Sequence, residues 1–318
     1  MSDPRTGPIP TVLPGREPVR PPVASPDEGD GLLAGRVVIV TGAANGLGAA
    51  YARGIAAAGA HVVAVDVDEQ GLERLGGQLA AAGGRGSIRV ADVADWATAH
   101  DLVRDCLAEH GQLDGLVNNA GVFAMAHAGT ESEATVRRML EVNVLGTVAW
   151  GDAAIAAMRT QGHGVLVNVT SGEQMGRAET AVYGATKAAI ATLTYAWAAE
   201  LAEAGIRVNA ISPNAQTRMA EVLEQFRGAP SGQNAGIAPE VNVPLLLYLL
   251  SDLSAELTGQ VLRSNGPELM LTTHPALADP VLRHASWTPE RIAEAVTARL
   301  RPHLAPLGVR RVRIEYLD

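Results

Sequence analysis

The sequence predicts an α/β fold, a doubly wound parallel sheet with helices on both faces, and three observations predict it. Continuous apolar runs of strand length, such as Arg36–Thr41 (RVVIVT) and His61–Asp66 (HVVAVD), read as strands buried on both sides. Each run is followed by a segment of helical length, and repeated strand–helix alternation with right-handed crossovers gives a parallel sheet. A glycine-rich turn, Thr41–Gly48, joins the first strand to the first helix, and such sheets take ligands at the carboxyl ends of their strands.

The elements follow in order. The first helix runs through Ala58, and the helix after the second strand covers Asp68–Ala82. Further strands fall at Ser87–Val90, Gly115–Val117 and Val165–Val169, with helical stretches near 95–110 and 132–160 between them. Val182–Ala204 reads as a long helix, Arg207–Ile211 as a sixth strand, Pro244–Ser251 as a helix and Gly259–Arg263 as a last short strand. These belong to one domain, residues 31–270. Before it, residues 1–30 hold eight of the 18 prolines and read as an extended arm. After it comes an extension, residues 271–318. Thr288 and Pro289 are a good N-cap and first-turn pair for a helix over 289–304. Val309–Leu317 alternates like a strand, and its Arg310, Arg311 and Arg313 read as a solvated basic end. The stretch 218–243 is expected to cover the substrate.

Composition excludes several classes of function. A chain of 318 residues, 47% of them hydrophobic, has enough apolar side chains for a large core. Its net charge of −9 counts against nucleic-acid binding. No apolar run approaches the roughly 20 residues of a membrane-spanning helix. The start lacks a secretory pattern, and Cys106 is the only cysteine, so a cytoplasmic location is expected. Cys106 reads as a buried helix residue. The eight histidines show no close metal-ligand spacing, so no metal is expected. Trp150, Tyr195 and Trp197 read as packing or subunit-interface residues. Of 25 basic residues, the only lysine is Lys187. A lysine retained in an arginine-rich chain points to chemistry that a guanidinium cannot supply.

The glycine-rich turn implies a cofactor. Gly42, Gly46 and Gly48, with Asn45 and Leu47 between them, permit a tight turn and close approach of a pyrophosphate to a helix N-terminus. Asp66 ends the second strand, where a carboxylate accepts hydrogen bonds from ribose hydroxyls and repels a 2′-phosphate. With no basic residue in the turn or just after Asp66, the expected cofactor is NAD.

Further along stand Asn118-Asn119-Ala120-Gly121, Asn143, Ser171 and Tyr183-Gly-Ala-Thr-Lys187. With the turn, these five motifs in order resemble the short-chain dehydrogenase/reductase family over roughly residues 35–265, which implies a single Rossmann-type domain. The resemblance implies that Tyr183 is the general acid or base, that Lys187 lowers its pKa and holds the nicotinamide ribose, and that Ser171 donates to the substrate oxygen. It implies that Asn143 holds a relay water, that Asp92 and Val93 meet the adenine, and that Asn119, Ala120 and Gly121 border the cofactor. The family's serine usually stands 13 residues before the tyrosine. Ser171 stands 12 before and Thr170 stands 13 before, so Ser171 is read as the donor and Thr170 is held in reserve. Pro213-Asn214-Ala-x-Thr217-Arg-Met is similar to the hydroxyacyl-CoA dehydrogenase part of peroxisomal multifunctional enzymes and their bacterial relatives. It implies that Pro213, Asn214 and Thr217 border the nicotinamide carboxamide. Glu173 and Gln174 stand either at the pocket or at a polar loop tip.

The expected activity is therefore NAD(H)-dependent interconversion of a secondary alcohol and a ketone, with a 3-hydroxyacyl thioester as a candidate substrate. A ketoreductase of secondary metabolism and a cofactor-binding regulator are the alternatives. The expected partners are a small alcohol or carbonyl compound and further copies of the chain, in a homodimer or homotetramer.

Overall fold

The computed structural model of the chain describes residues 31–215, positions 222 and 226, 237–264 and 267–305. Seven strands lie parallel: β1 (Val37–Thr41), β2 (His61–Asp66), β3 (Arg85–Val90), β4 (Gly115–Asn118), β5 (Gly164–Val169), β6 (Ile206–Pro213) and β7 (Val261–Ser264). Their spatial order is β3-β2-β1-β4-β5-β6-β7, and a short β8 (Leu269–Leu271) pairs antiparallel with β7. From β1 the chain winds outward to β2 and β3, then crosses back to place β4 on the other side of β1. At this switch point the connections leave in opposite directions and open a crevice at the strand ends.

Successive β1 residues serve opposite layers, because side chains alternate across a strand. Val38 and Val40 pack in the layer of α1 (Gly46–Ala57), α2 (Glu69–Ala81) and α7 (Val243–Leu250). Val37 and Ile39 pack in the layer of α3 (Trp96–His110), α5 (Gly146–Gln161) and α6 (Ala181–Leu201). Fully buried side chains such as Leu72, Leu246 and Leu166 each contribute about 1.5–3 kcal/mol of hydrophobic stabilisation. Helix ends follow local chemistry. Asp68 and Asp95 cap α2 and α3 by accepting from Gly71 N and Thr98 N, while Gly111 and Gly162 end α3 and α5 in the left-handed region.

The structure departs from the expected elements in a few places. The single helix expected near 132–160 is α4 (Glu133–Met139), a π-helical segment at Leu140–Leu145, and α5. Such an insertion is invisible to a 3.6-residue period and often marks a functional site, and Asn143 lies inside it. The last turn after α6 tightens to a 3-10 segment at Ala202–Ala204. The strand β8 was not expected, since three residues of which two are exposed carry no periodicity. In the extension, Thr288 caps α8 (Pro289–Ala295), which continues as π and 3-10 turns to His303. The arm, the Val309–Leu317 segment, Thr217 and most of 218–243 lie outside the described residues. No helix among the described residues is long and apolar enough to cross a membrane.

Candidate active site

One cavity of about 980 Å³ runs along the carboxyl ends of β1, β2, β4, β5 and β6. Its walls include Gly42, Asn45–Gly48, Asp66, Asp92, Val93, Asn119–Gly121, Ser171, Tyr183, Lys187, Pro213 and Asn214. Asn143, fully buried, lies just behind that wall.

At one end the turn is locked by its neighbours. The hydroxyl of Thr41 accepts from Asn119 N at 3.1 Å and Ala120 N at 3.2 Å, and Asn119 Nδ2 donates to the carbonyls of Thr41 and Gly42. The close approach needs glycine: a Cβ at Gly48 would lie 1.9 Å from Gly42 O. Gly42 itself has φ +65°, a left-handed conformation. The first turn of α1 has no side-chain cap and no acidic residue, and the Asn45 amide nitrogen donates to Asp68 at 2.8 Å. Free amide donors at a helix N-terminus are an anion site. Asp66 accepts from Ala44 N at 2.9 Å and from Asp68 N at 3.0 Å, which fixes its carboxylate beside the turn. Asp92 accepts from Ala94 N and from the Arg138 guanidinium at 3.1 Å. The residues present fit a dinucleotide: a cradle that a Cβ would fill, uncapped donors for a pyrophosphate and a carboxylate for ribose hydroxyls.

At the other end, β5 and α6 converge. Tyr183 and Lys187, one helical turn apart on α6, are both buried, with the Lys187 Nζ 5.8 Å from the Tyr183 ring centroid. Phe123 packs edge-on against the Tyr183 ring at 4.8 Å. Ser171 follows β5 in extended backbone and hydrogen-bonds Tyr183. Thr170, the reserve donor, also borders the cavity but is buried, with its hydroxyl given to Ile211 O at 3.1 Å. Ser171→Ala is therefore expected to lower kcat by roughly 10²–10³, as loss of an oxyanion donor does. Thr170→Val should keep most activity, and steady-state kinetics of the two variants checks the ranking.

Folding sets the surroundings of Tyr183, Lys187 and Asn143. The Tyr183 phenol is pushed well above its ordinary value, first by burial and then by the charge of Glu173, with the Ser171 hydrogen bond opposing. Lys187, expected to lower the phenol, stands one turn further along α6. Its ammonium donates to Val169 O at 2.8 Å, and burial brings its own pKa down to about 8. Asn143 was expected to hold a relay water. Its side chain ties the loop after β4 to α6: Oδ1 accepts from Val122 N at 2.8 Å, and Nδ2 donates to Val122 O and Thr186 Oγ1 at 3.0 Å. It still stands close to Lys187, since a Cβ at Gly121 would meet Asn143 Oδ1 at 3.3 Å and Lys187 Nζ at 3.5 Å.

Among the wall residues that carried no sequence signal are Phe123, Arg138, Arg177 and Arg263. Arg263 on β7 donates to Ser212 Oγ at 2.9 Å and to Asn214 Oδ1 at 2.8 Å, bracing the loop after β6. One arginine among 24 draws no notice in a sequence until the fold brings it to a site.

A doubly wound sheet, a glycine cradle on a helix N-terminus and a Ser–Tyr–Lys cluster facing the same cavity define a dinucleotide-dependent oxidoreductase. Comparison with known proteins agrees. The short chain dehydrogenase family matches residues 36–227, and the chain belongs to that family, whose members act on CH–OH groups and bind NAD(P). It is 36% identical over 241 residues to a cis-4-hydroxycyclohexanecarboxylate dehydrogenase of Sinomonas cyclohexanicum, covering 74% of this chain and 96% of that one. It is 32% identical over 289 residues to the hydroxyacyl-CoA dehydrogenase ChsB1 of Mycobacterium tuberculosis, covering 86% and 90%. A short chain dehydrogenase from Mycobacterium avium superposes with a TM-score of 0.78 at 32% identity, over 88% of this chain and 99% of that chain. Among solved relatives, a gluconate 5-dehydrogenase of Burkholderia cenocepacia holds NADP (TM-score 0.67, 29% identity, 74% and 96% coverage). A xylitol dehydrogenase holds NAD⁺ (TM-score 0.68, 28% identity, 74% and 99% coverage).

Proposed function

We propose that this chain uses NAD(H) to interconvert a secondary alcohol and a ketone, with a 3-hydroxyacyl thioester as the first substrate to try. The observation that carries the reading is the convergence of Ser171, Tyr183 and Lys187 on a cavity whose far end is the glycine cradle and Asp66. A bound nicotinamide supplies the hydride acceptor or donor. Ser171 donates to the substrate oxygen and stabilises charge that develops there. Tyr183 moves the proton at that oxygen, and the positive charge of a bound NAD⁺ would offset the burial that raises the phenol. Lys187 turns from Val169 O toward the ribose hydroxyls, and Asn143 fixes the loop after β4 against α6. Asp92 and Val93 meet the adenine, Asn119–Gly121 border the cofactor, and Pro213, Asn214 and Thr217 border the carboxamide. The hydroxyacyl-CoA dehydrogenase relative supports the thioester.

A second reading, a ring hydroxy acid, is favoured by Arg177 and Arg263 on the cavity wall, which suit a carboxylate. The cis-4-hydroxycyclohexanecarboxylate dehydrogenase relative supports it. Turnover of 3-hydroxybutyryl-CoA against cis-4-hydroxycyclohexanecarboxylate, each with NAD⁺, separates the two.

The preference for NAD rests on Asp66, held against the turn by two backbone donors. Arg138, the nearby cation that folding adds, is engaged with Asp92. NAD(H) is expected to be used at least about tenfold more efficiently than NADP(H), which corresponds to about 1.4 kcal/mol. Comparing kcat/KM for the two cofactors decides it, and equal values would refute the role of Asp66.

The division into a 1–30 arm, a 31–270 catalytic domain and a 271–318 extension, the cytoplasmic location and a closed homodimer or homotetramer belong to the same reading. Exposed Leu269, Leu271, Leu277 and Val281 support assembly with another copy. Light scattering at micromolar concentration should return a multiple of the chain mass.

A further inference from the structure

Three strand ends frame the reacting end of the cavity, and one side chain touches all three. Arg263 lies on β7, level with Ser212 of the neighbouring β6 in the parallel register. Its Nη1 donates to Ser212 Oγ at 2.9 Å, and its Nη2 donates to Asn214 Oδ1 at 2.8 Å. On the β5 side its guanidinium lies against Gly172, the residue after Ser171. A Cβ at Gly172 would stand 2.6 Å from Nη1 and 3.0 Å from Cζ. Ser171, Gly172, Asn214 and Arg263 all line the cavity.

These contacts orient groups as well as pack them. Ser212 is fully buried, so its hydroxyl depends on a partner within the protein. Asn214 is held on three sides. Its backbone N donates to Ser264 O at 2.9 Å, its backbone O accepts from Asn242 Nδ2 at 3.0 Å, and its side-chain oxygen is held by Arg263. The backbone bonds fix where the loop leaves β6, and the Arg263 bond fixes how the Asn214 side chain points. An amide oriented by its oxygen has its two N–H donors oriented too. A guanidinium suits the task, because its planar fork serves two acceptors at set angles while its flat face packs on a glycine. Burial opposes its charge, while Glu173 and Glu268 nearby favour it.

We propose that Arg263 is a positioning residue. It sets the gap between the Ser171 turn, where the substrate oxygen binds, and the Asn214 loop, where the nicotinamide carboxamide binds. The role rests on the function proposed above. Reaction between two bound groups needs the reacting atoms about 3–3.5 Å apart, and a misplacement of about 1 Å can cost roughly 10²-fold in rate. A rigid fork in contact with both loops fixes that gap.

Arg263→Lys tests this, because lysine keeps the charge and has no planar fork to serve Ser212 and Asn214 together. With NAD⁺ and either 3-hydroxybutyryl-CoA or cis-4-hydroxycyclohexanecarboxylate, whichever is turned over, kcat is expected to fall roughly 10- to 100-fold. The KM for the substrate should stay within about twofold. NADH binding, read by fluorescence quenching, needs no substrate and should weaken roughly fivefold, the reach of one hydrogen bond. Asn214→Ala should weaken it by about as much, and the double variant no further, because both changes remove the same contact. Guanidinium ion added to Arg263→Ala should restore part of the rate, and ammonium ion should not. If the Arg263 variants do not fold, Ser212→Ala and Asn214→Ala each sever one arm of the fork and should lower kcat at unchanged substrate KM. Wild-type kcat and NADH affinity in Arg263→Lys would reduce the group to a charge and overturn the proposal. So would losses of NADH affinity that add in the double variant, or wild-type kcat in both Ser212→Ala and Asn214→Ala. A rise confined to the substrate KM would make Arg263 a substrate-binding group and overturn it as well. An active Tyr183→Phe, or a wild type that binds no NADH, would instead sink the functional reading beneath it.

Discussion

Tyr183→Phe is expected to lower turnover by roughly 10³ or more, within the usual reach of a general acid or base, with little change in stability. The substitution removes one hydroxyl and keeps the ring that Phe123 packs against edge-on. The lost hydrogen bond to Ser171 costs about 1 kcal/mol, so thermal unfolding should scarcely move. NAD(H) binding, measured by fluorescence quenching, should stay within a few-fold, because the cradle lies at the far end of the cavity. A variant that folds, binds cofactor and fails to turn over locates Tyr183 in the proton step. A variant with a tenth of wild-type activity or more would remove it from that role.

Lys187→Arg is the second large effect, with turnover expected to fall by orders of magnitude. Arginine keeps the positive charge and loses the compact ammonium, and its planar fork does not fit the same space. Lys187 is buried, its Nζ 2.8 Å from Val169 O and close against Gly121. Lys187→Met fits that space without charge and separates two roles. Its turnover should also collapse, while its stability should show a distinctive pH dependence. Burial lowers Lys187 from its ordinary 10.5 to about 8. Between those values the unfolded chain binds more protons than the folded one, so wild-type stability rises with pH there. The destabilisation from burying the charge is fully present below about pH 8 and is relieved as pH rises toward the ordinary lysine value. Above about pH 10 the raised tyrosines, Tyr51 and Tyr183, act in the opposite direction. Denaturant unfolding from pH 7 to pH 10 should therefore show a gain in wild type that Lys187→Met lacks. A wild type with half its turnover in Lys187→Arg would make the lone lysine an accident of composition.

Much of this molecule is legible from short stretches of chain. RVVIVT and HVVAVD are strands because apolar runs of that length have only a doubly covered sheet to bury them. The turn after β1 is a cradle because three glycines between a strand and a helix permit a left-handed turn and a close backbone approach that a Cβ would block. Tyr183 and Lys187 share a face because four residues make about one helical turn. These are local facts, fixed by periodicity and by which residues tolerate a turn.

The structure alone decided matters that depend on residues far apart in the chain. Ser171 and Thr170 are adjacent and chemically alike, and their order before Tyr183 favoured neither firmly. Pairing of β5 with β6 sends the Thr170 hydroxyl to Ile211 O and leaves Ser171 beside Tyr183. The π-helical segment around Asn143 is invisible to pattern because it adds one residue to a turn without changing composition. Arg263 comes to the site from β7, and Glu173 lines the pocket as a partner of Ser171 rather than standing at a loop tip. The direction of the pKa shifts was also out of reach, since desolvation depends on what covers a group, and neighbours in sequence do not report it. The sequence by itself determined the elements, their order, the cradle and the Tyr–Lys face, because each is a property of a few consecutive residues. Which hydroxyl stands beside Tyr183 and which charges surround it were decided only by tertiary structure, because those depend on groups tens of residues apart meeting at short range.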